Sequence, residues 1–294
     1  MRVAWSMEPP ALFDLERTVL SHGFYQVPPF SWEPGALHVA VRPPLARVTV
    51  RQPSRGSLRI EVASSRAPSR RRIERTVAHV LDFGRDVAAF HRVCRTYPPL
   101  GWAVRARAGR ILRCPDLASD VIVSICGTNT SWSQAVRSVH RLAEIAPLAP
   151  GGLRAFPTPA EILEAGAGHL VEHARVGYRH RSILEFCRRV LSRRMDLAVD
   201  PSMDGAALRA FFRSIPGIGP VTARYLACLH GRADEIAIDS FTLRYVGDKY
   251  HGGRRPSVAA VEKRYARFGE HRALAYWFEV LGDVSPMTWR PAGV

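Results

Sequence analysis

The sequence predicts an α+β fold, in which a small antiparallel β-rich N-terminal domain over residues 1–72 precedes an all-α region over 73–294. Three observations predict it. Residues 37–62 alternate in the strand manner, LHVAVRPPLARVTV and then SLRIEV after the Arg55-Gly56 turn. From Ile73 onward the apolar period becomes that of a helix. A chain of 294 residues with 47% apolar composition also has ample material for two packed domains.

In chain order, the polar and basic stretch 64–72 (SSRAPSRRR) reads as a loop. Ile73–Tyr97 reads as a helical region, broken at Gly84 and ended by Pro98-Pro99-Leu100-Gly101. Asp116–Ile145 reads as an apolar helix, a polar loop around Gly127-Thr128-Asn129-Thr130, and a further helix, SWSQAVRSVHRLAEI. Pro147–Pro159, with four prolines and two glycines, is a connector. Thr158-Pro159-Ala160-Glu161 then has the form of a capping box with Pro at the first helical position. Beyond Asp204 the pattern is helix, tight turn, helix: GAALRAFFRS, IPGIG, PVTARYLACLHG. AIDSFTLRYV reads as strand-like, although a short apolar run of this kind also fits a helix. Ser257–Leu281 supplies one or two final helices, and no solenoid repeat or low-complexity tract is present.

The 42 Lys+Arg against 26 Asp+Glu leave a formal charge of +16, and only Lys249 and Lys263 are lysines. GC-rich coding explains a high Arg/Lys ratio but not the net charge. Such a surplus implies a polyanionic partner, nucleic acid being the commonest, or else a solvated basic face. The stretches 66–75, 105–113 and 254–255 are the candidate tracks for a phosphate backbone, or plain solvated surface. Cys94, Cys114, Cys126, Cys187 and Cys228 contain no C-x-x-C pair and sit mostly in apolar company. They read as buried thiols in a reducing compartment, with no zinc or iron–sulfur site. The longest apolar stretches, such as Asp120–Cys126, fall short of the roughly 18–20 residues of a membrane span. A soluble, unexported protein is expected.

The segment that carries chemistry is Ser214-Ile215-Pro216-Gly217-Ile218-Gly219-Pro220-Val221-Thr222-Ala223, with Ile238-Asp239 after the next helix. Two glycines let backbone N–H groups at a helix start approach a phosphate without hindrance from a Cβ, a contact that positions DNA rather than reading it. An ordinary αα-corner uses glycine in the same way. Asp239 lies between apolar Ile238 and Phe241, where burying a carboxylate is costly unless it has a task, a helix cap being the simplest.

The Pro-Gly-Ile-Gly turn between two helices, with an aspartate 20 residues after Gly219, resembles the helix-hairpin-helix DNA glycosylase superfamily, and PGIGPVTARYLA is most similar to its AlkA-type 3-methyladenine glycosylase II branch. Residues 13–32 and the strands after them resemble the β domain of the AlkA-type and 8-oxoguanine branches, so the likeness spans most of the chain. It implies two helical subdomains with an active-site cleft between them. It further implies Asp239 as the catalytic group, stabilising positive charge on the deoxyribose and helping an attacking water. Pro216, Gly217, Ile218, Gly219, Val221 and Thr222 would hold the DNA backbone. Asp120–Leu142 looks like the helix, loop and helix that carry the family's DNA wedge, with Asn129 as the plug left where a base has flipped out; a loop asparagine capping the next helix is the plain alternative. Gly177-Tyr178-Arg179-His180-Arg181 resembles the family's Gly-Tyr-Arg segment.

Tyr225, Tyr276 and Trp277 fall where relatives line the base pocket, an aromatic box that would suit a cationic alkylated purine through cation–π attraction of about 0.5–2 kcal/mol; aromatic core is the alternative for each. Bifunctional members carry a Schiff-base lysine in the hairpin, where this chain has Val221. The resemblance thus implies a monofunctional glycosylase of base excision repair acting on double-stranded damaged DNA as a cytoplasmic, nucleoid-associated monomer of bacterial type. No organic cofactor or metal is expected, while some family hairpins hold a monovalent cation. A glycosylase for oxidised or deaminated bases and a catalytically silent damaged-DNA-binding protein are the alternatives.

Overall fold

The computed structural model describes residues 1–200 and 202–284, so the last ten residues of the expected helical region lie outside the described residues. Along the chain run β1 (Arg2–Met7), α1 (Leu15–Val19), β2 (Phe30–Glu33), β3 (Ala36–Val41), β4 (Ala46–Ser54) and β5 (Ser57–Ser64). Next come α2 (Arg70–Val80), α3 (Val87–Cys94), α4 (Gly101–Arg105), α5 (Leu117–Cys126), α6 (Trp132–Ala143), α7 (Pro159–Gly168) and α8 (His180–Leu191). The series closes with α9 (Gly205–Arg213), α10 (Pro220–Leu229), α11 (Ser240–Tyr250), α12 (Val258–Tyr265) and α13 (Arg272–Asp283). The α+β class read from the sequence is what forms, an N-terminal antiparallel sheet followed by a mostly helical region.

Local chemistry sets most helix starts. Side chains of Ser69, Asp86, Asp116, Ser131, Asp204, Asp239 and Ser257 each accept a first-turn amide, and Thr158 and Glu161 form the expected capping box on α7. Two readings change as a result. The Ser69 cap starts α2 at Arg70, inside the stretch read as a loop. AIDSFTLRYV is not a strand: Asp239 caps α11, and Leu243, Val246 and Gly247 fall on its buried side at helical spacing.

The chain divides into two compact units, residues 1–85 with 110–197, and residues 86–109 with 198–294. The first holds the sheet, ordered β1-β5-β4-β3-β2 with every pairing antiparallel. Leu37, Val39, Val41, Val48 and Val50 share one face and line a single apolar pocket with Val77, Val80 and Leu81 at α2. On the other face Ala40 packs with Ala146, Ala149 and Ala155, so the Pro/Gly connector is folded against the sheet. It also closes on itself through the Leu148–Arg154 bridge. Arg42, past the end of β3, donates to both oxygens of Glu161 (2.9 and 2.6 Å), which ties the sheet to the start of α7. Buried Asp82 gathers Arg85, Arg113 and the Ile111 amide (3.2 Å), joining the segments where the chain leaves this unit and returns.

In the second unit the core is aromatic. Phe90 of α3 meets Phe278 of α13 at 5.5 Å between ring centroids, and Gly282 gives room to Trp102. Glu279 is 1% exposed, yet it accepts from Tyr97 (2.7 Å), Tyr250 and Tyr265 (2.5 Å), with Lys249 Nζ 3.2 Å away. Burial alone would push this carboxyl up, but the three hydroxyls and the ammonium outweigh it and hold it below the usual range. Among the described residues no helix is long and apolar enough to cross a membrane.

Candidate active site

The hairpin of the second unit is built as the sequence pattern demands. After α9, Ile215 and Ile218 are buried and joined by an Ile218 N–Ile215 O hydrogen bond of 3.1 Å. Gly217 takes φ +84°, a backbone that disfavours any side chain. Gly219 is the N-cap of α10 and provides no side-chain acceptor, and Pro220 at the first helical position has no N–H. The amides of Val221 and Thr222 are thus left without a side-chain cap, and Val221 is 37% exposed. Helices α9, α11 and α12 of the same unit all have one.

A brace of charges ties the hairpin helices to the segment that leads to Asp239. Glu235 accepts from Arg209 of α9 (2.7 Å) and from Arg224 of α10 (2.6 Å), while Arg209 also reaches Asp234 at 2.9 Å. Asp239 is exposed rather than buried, contrary to the argument from its apolar neighbours. It does cap a helix. Its Oδ1 accepts from Thr242 N (2.8 Å) and Thr242 Oγ1 (2.9 Å), while Oδ2 has no hydrogen bond among the described residues. The cap and a free carboxylate oxygen therefore coexist in one side chain.

The aromatic candidates differ in setting. Tyr225 of α10 and Trp277 of α13 are half-buried, whereas Tyr276 is 5% exposed and its hydroxyl donates to Thr242 Oγ1 at 3.0 Å. Lys249 lies in the last turn of α11, the opposite end from Asp239. Its Nζ is 2.5 Å from Asp283 and 3.2 Å from Glu279. Burial works against its charge, but those carboxylates outweigh it and hold the pKa above the usual lysine value. Lys263 is exposed on α12.

In the first unit, Asn129 sits exposed between α5 and α6 with φ +48°. It is not the cap of α6, which is Ser131. Its Nδ2 instead donates to the hydroxyl of Tyr178 at 3.0 Å. Arg179 donates to Thr128 O at 2.8 Å and to Asn129 O at 3.2 Å, and its guanidinium carbon lies 4.9 Å from the Tyr178 ring centroid. Two segments singled out separately in the sequence thus form one exposed tip, with Tyr178 61% exposed. The Asn129 amide and the Arg179 charge hold the Tyr178 hydroxyl below the usual tyrosine range.

Among the described residues no group of three His, Cys, Asp or Glu side chains is placed to hold a metal ion. The segment 214–223 contains no carboxylate, so its oxygen donors are main-chain carbonyls and the hydroxyls of Ser214 and Thr222. Two of those carbonyls, Ile215 O and Gly219 O, already accept the Ile218 and Ala223 amides. Sequence reasoning missed Thr242, although Asp239-x-x-Thr242 is itself a capping-box pattern.

With sheet, hairpin and capped aspartate in place, the chain has the fold of several DNA glycosylases of known structure. Among solved structures the chain is similar to MBOgg1 bound to a low-affinity DNA ligand, with 20% identity over 95% of each chain and a TM-score of 0.74. A 3-methyladenine DNA glycosylase from Archaeoglobus fulgidus is 16% identical over 95% of this chain and 99% of its own, with a TM-score of 0.73. An 8-oxoguanine glycosylase/lyase from Clostridium acetobutylicum is 16% identical over 94% and 95%, with a TM-score of 0.72. No protein-family model and no curated protein matches the sequence.

Proposed function

We propose that the chain is a monofunctional DNA glycosylase that excises a damaged base, an alkylated purine by preference, from double-stranded DNA. The observation that carries this reading is the half-satisfied carboxylate of Asp239, fixed through Oδ1 and open at Oδ2, in the unit that also holds an uncapped glycine hairpin. Cleavage of an N-glycosidic bond builds positive charge on the sugar as the base departs. A rigidly held carboxylate oxygen stabilises that charge and orients water for attack on the anomeric carbon. The first-turn amides of Val221 and Thr222 would receive a backbone phosphate. Asn129 would fill the space left by the flipped base, and Tyr225 and Trp277 would offer ring surface to it. The charge of +16 favours the polyanion.

The monofunctional assignment is supported by the lysines. A Schiff-base nucleophile needs a neutral amine beside the sugar. The hairpin offers Val221, Lys249 is ion-paired at the far end of α11, and Lys263 is on another helix. The 3-methyladenine glycosylase and the glycosylase/lyase share the fold equally well, so the fold favours neither lesion.

The test is base release from duplexes carrying alkylated, oxidised or deaminated bases, with and without subsequent alkali, alongside duplex binding at several salt concentrations. Alkylpurine release with strand breaks only after alkali is the expected result. A borohydride-trapped imine would overturn the monofunctional reading. No release from any duplex would overturn the enzyme, and binding indifferent to salt would remove the DNA partner as well.

A further inference from the structure

Asp239 is held from behind. Thr242 is 1% exposed, and its Oγ1 lies 2.9 Å from Asp239 Oδ1, 3.4 Å from the Asp239 amide nitrogen and 3.3 Å from Ala237 O. The hydroxyl of Tyr276, on α13, donates to the same Oγ1 at 3.0 Å. Burial pushes the Tyr276 pKa up, so this hydroxyl keeps its proton and remains a donor. A threonine hydroxyl has one proton and two lone pairs. Tyr276 occupies one lone pair, the Asp239 amide faces the other, and the single proton goes to the shorter, charge-assisted contact with Asp239 Oδ1. The donors therefore run in one direction, Tyr276 to Thr242 to Asp239, and each polarises the next.

The Tyr276 ring is buried among other aromatic rings. Tyr245 and Tyr265 meet it edge to face at centroid distances of 6.1 and 5.6 Å. Glu279, three residues along α13, is anchored by tyrosine hydroxyls.

Resting on the glycosylase reading, we propose that Tyr276 and Thr242 are positioning residues for Asp239, which saturate Oδ1 and so fix Oδ2 as the oxygen presented to the reacting sugar and its water. Tyr276 thus acts on the carboxylate through its hydroxyl, by way of Thr242.

The test is single-turnover base release from the duplex that wild type cleaves fastest, together with the dissociation constant for a duplex containing a tetrahydrofuran abasic analogue. Losing one hydrogen bond of this kind corresponds to a slowing of about 5–10-fold in Tyr276→Phe and about 10–30-fold in Thr242→Val. Affinity for the analogue should stay within about twofold, because neither residue lies in the hairpin that binds the backbone. Thr242→Ser keeps the oxygen and should recover the rate to within about threefold of wild type. Wild-type rates in both Tyr276→Phe and Thr242→Val, or losses that merely follow the folded fraction measured by circular dichroism, would overturn the positioning role while leaving the glycosylase intact. Failure of Thr242→Ser to recover the rate would do the same. No release by wild type from any duplex would overturn both readings together.

Discussion

Replacing Asp239 by Asn separates the capping task that the structure shows from the catalytic task proposed for the same carboxylate. As a cap, Asp239 uses only Oδ1, which receives Thr242 N at 2.8 Å and Thr242 Oγ1 at 2.9 Å. An asparagine carbonyl can occupy the same place, and Asn ranks with Asp as an N-cap, so Asp239→Asn should lose less than about 1 kcal/mol, most of it the charge–dipole attraction. Asp239→Ala loses both acceptor contacts and should cost about 1–2 kcal/mol. Catalysis orders the variants differently. Under the proposed mechanism the charge that would stabilise the sugar cation is absent from both, and removing one preorganised electrostatic group typically slows a reaction about 10²–10³-fold. Asn should therefore resemble wild type in thermal unfolding and Ala in single-turnover base release. An Asn variant that releases base within tenfold of wild type, or that melts as early as the Ala variant, would refute the division of labour between Oδ1 and Oδ2.

Other parts of the molecule give independent tests. Burial lowers His22 to about 4, against about 6.5 for an unfolded chain, with its Nε2 on Leu112 O at 2.6 Å. Because the unfolded state alone binds this proton between those values, the stability from a neutral His22 is complete above pH 6.5 and is lost as the pH falls toward 4. His22→Gln, which can still donate to Leu112 O, should lose about 2–3 kcal/mol less than wild type between pH 7 and 4.5 in urea unfolding; equal losses would refute the assignment. Gly247→Ala should destabilise by about 1–3 kcal/mol despite alanine's helix propensity, since a Cβ there would lie 2.8 Å from Arg254 O. A raised melting temperature would contradict this. All five cysteines are buried, and burial pushes Cys94, Cys126 and Cys187 up to about 12. An aromatic disulfide reagent should accordingly label none of the five in the native protein within minutes and all of them in denaturant; fast native labelling would be the contrary result.

What could be read from the sequence is what depends on short spacings. The capping box at Thr158–Glu161 and the hairpin around Gly217 and Gly219 arise from residues within a few positions of one another, and both form as read. Strands β1 and β2 were missed for the opposite reason. Among the described residues β1 pairs with β5 alone, more than fifty residues away, and β2 is four residues long, too short for a period to show. The run AIDSFTLRYV, residues 237–246, is ambiguous because a short apolar run suits either element. Asp239 decides the matter by closing the first turn, a local signal that was present and outweighed by the β-branched and aromatic content of the run.

The site divides along the same line. Its hairpin and its aspartate are legible, since glycine at a left-handed position and a carboxylate beyond the next helix are properties of single residues. The partners that give those residues their chemistry are not. Tyr276 is 34 residues from Thr242, and Asn129 is 49 from Tyr178, so no periodicity connects them. Burial reverses the apparent meaning of one residue of each kind: the aspartate expected among apolar neighbours is at the surface, and the tyrosine expected to show its ring has it packed against Tyr245 and Tyr265. A carboxylate meets competing demands at such a site, because enough donors must fix its geometry while one oxygen stays unsatisfied to meet developing charge. Under the proposed function, placing Asp239 at the head of a helix would meet both, for the first-turn amide and Thr242 occupy one oxygen and the exposed end of the helix leaves the other open.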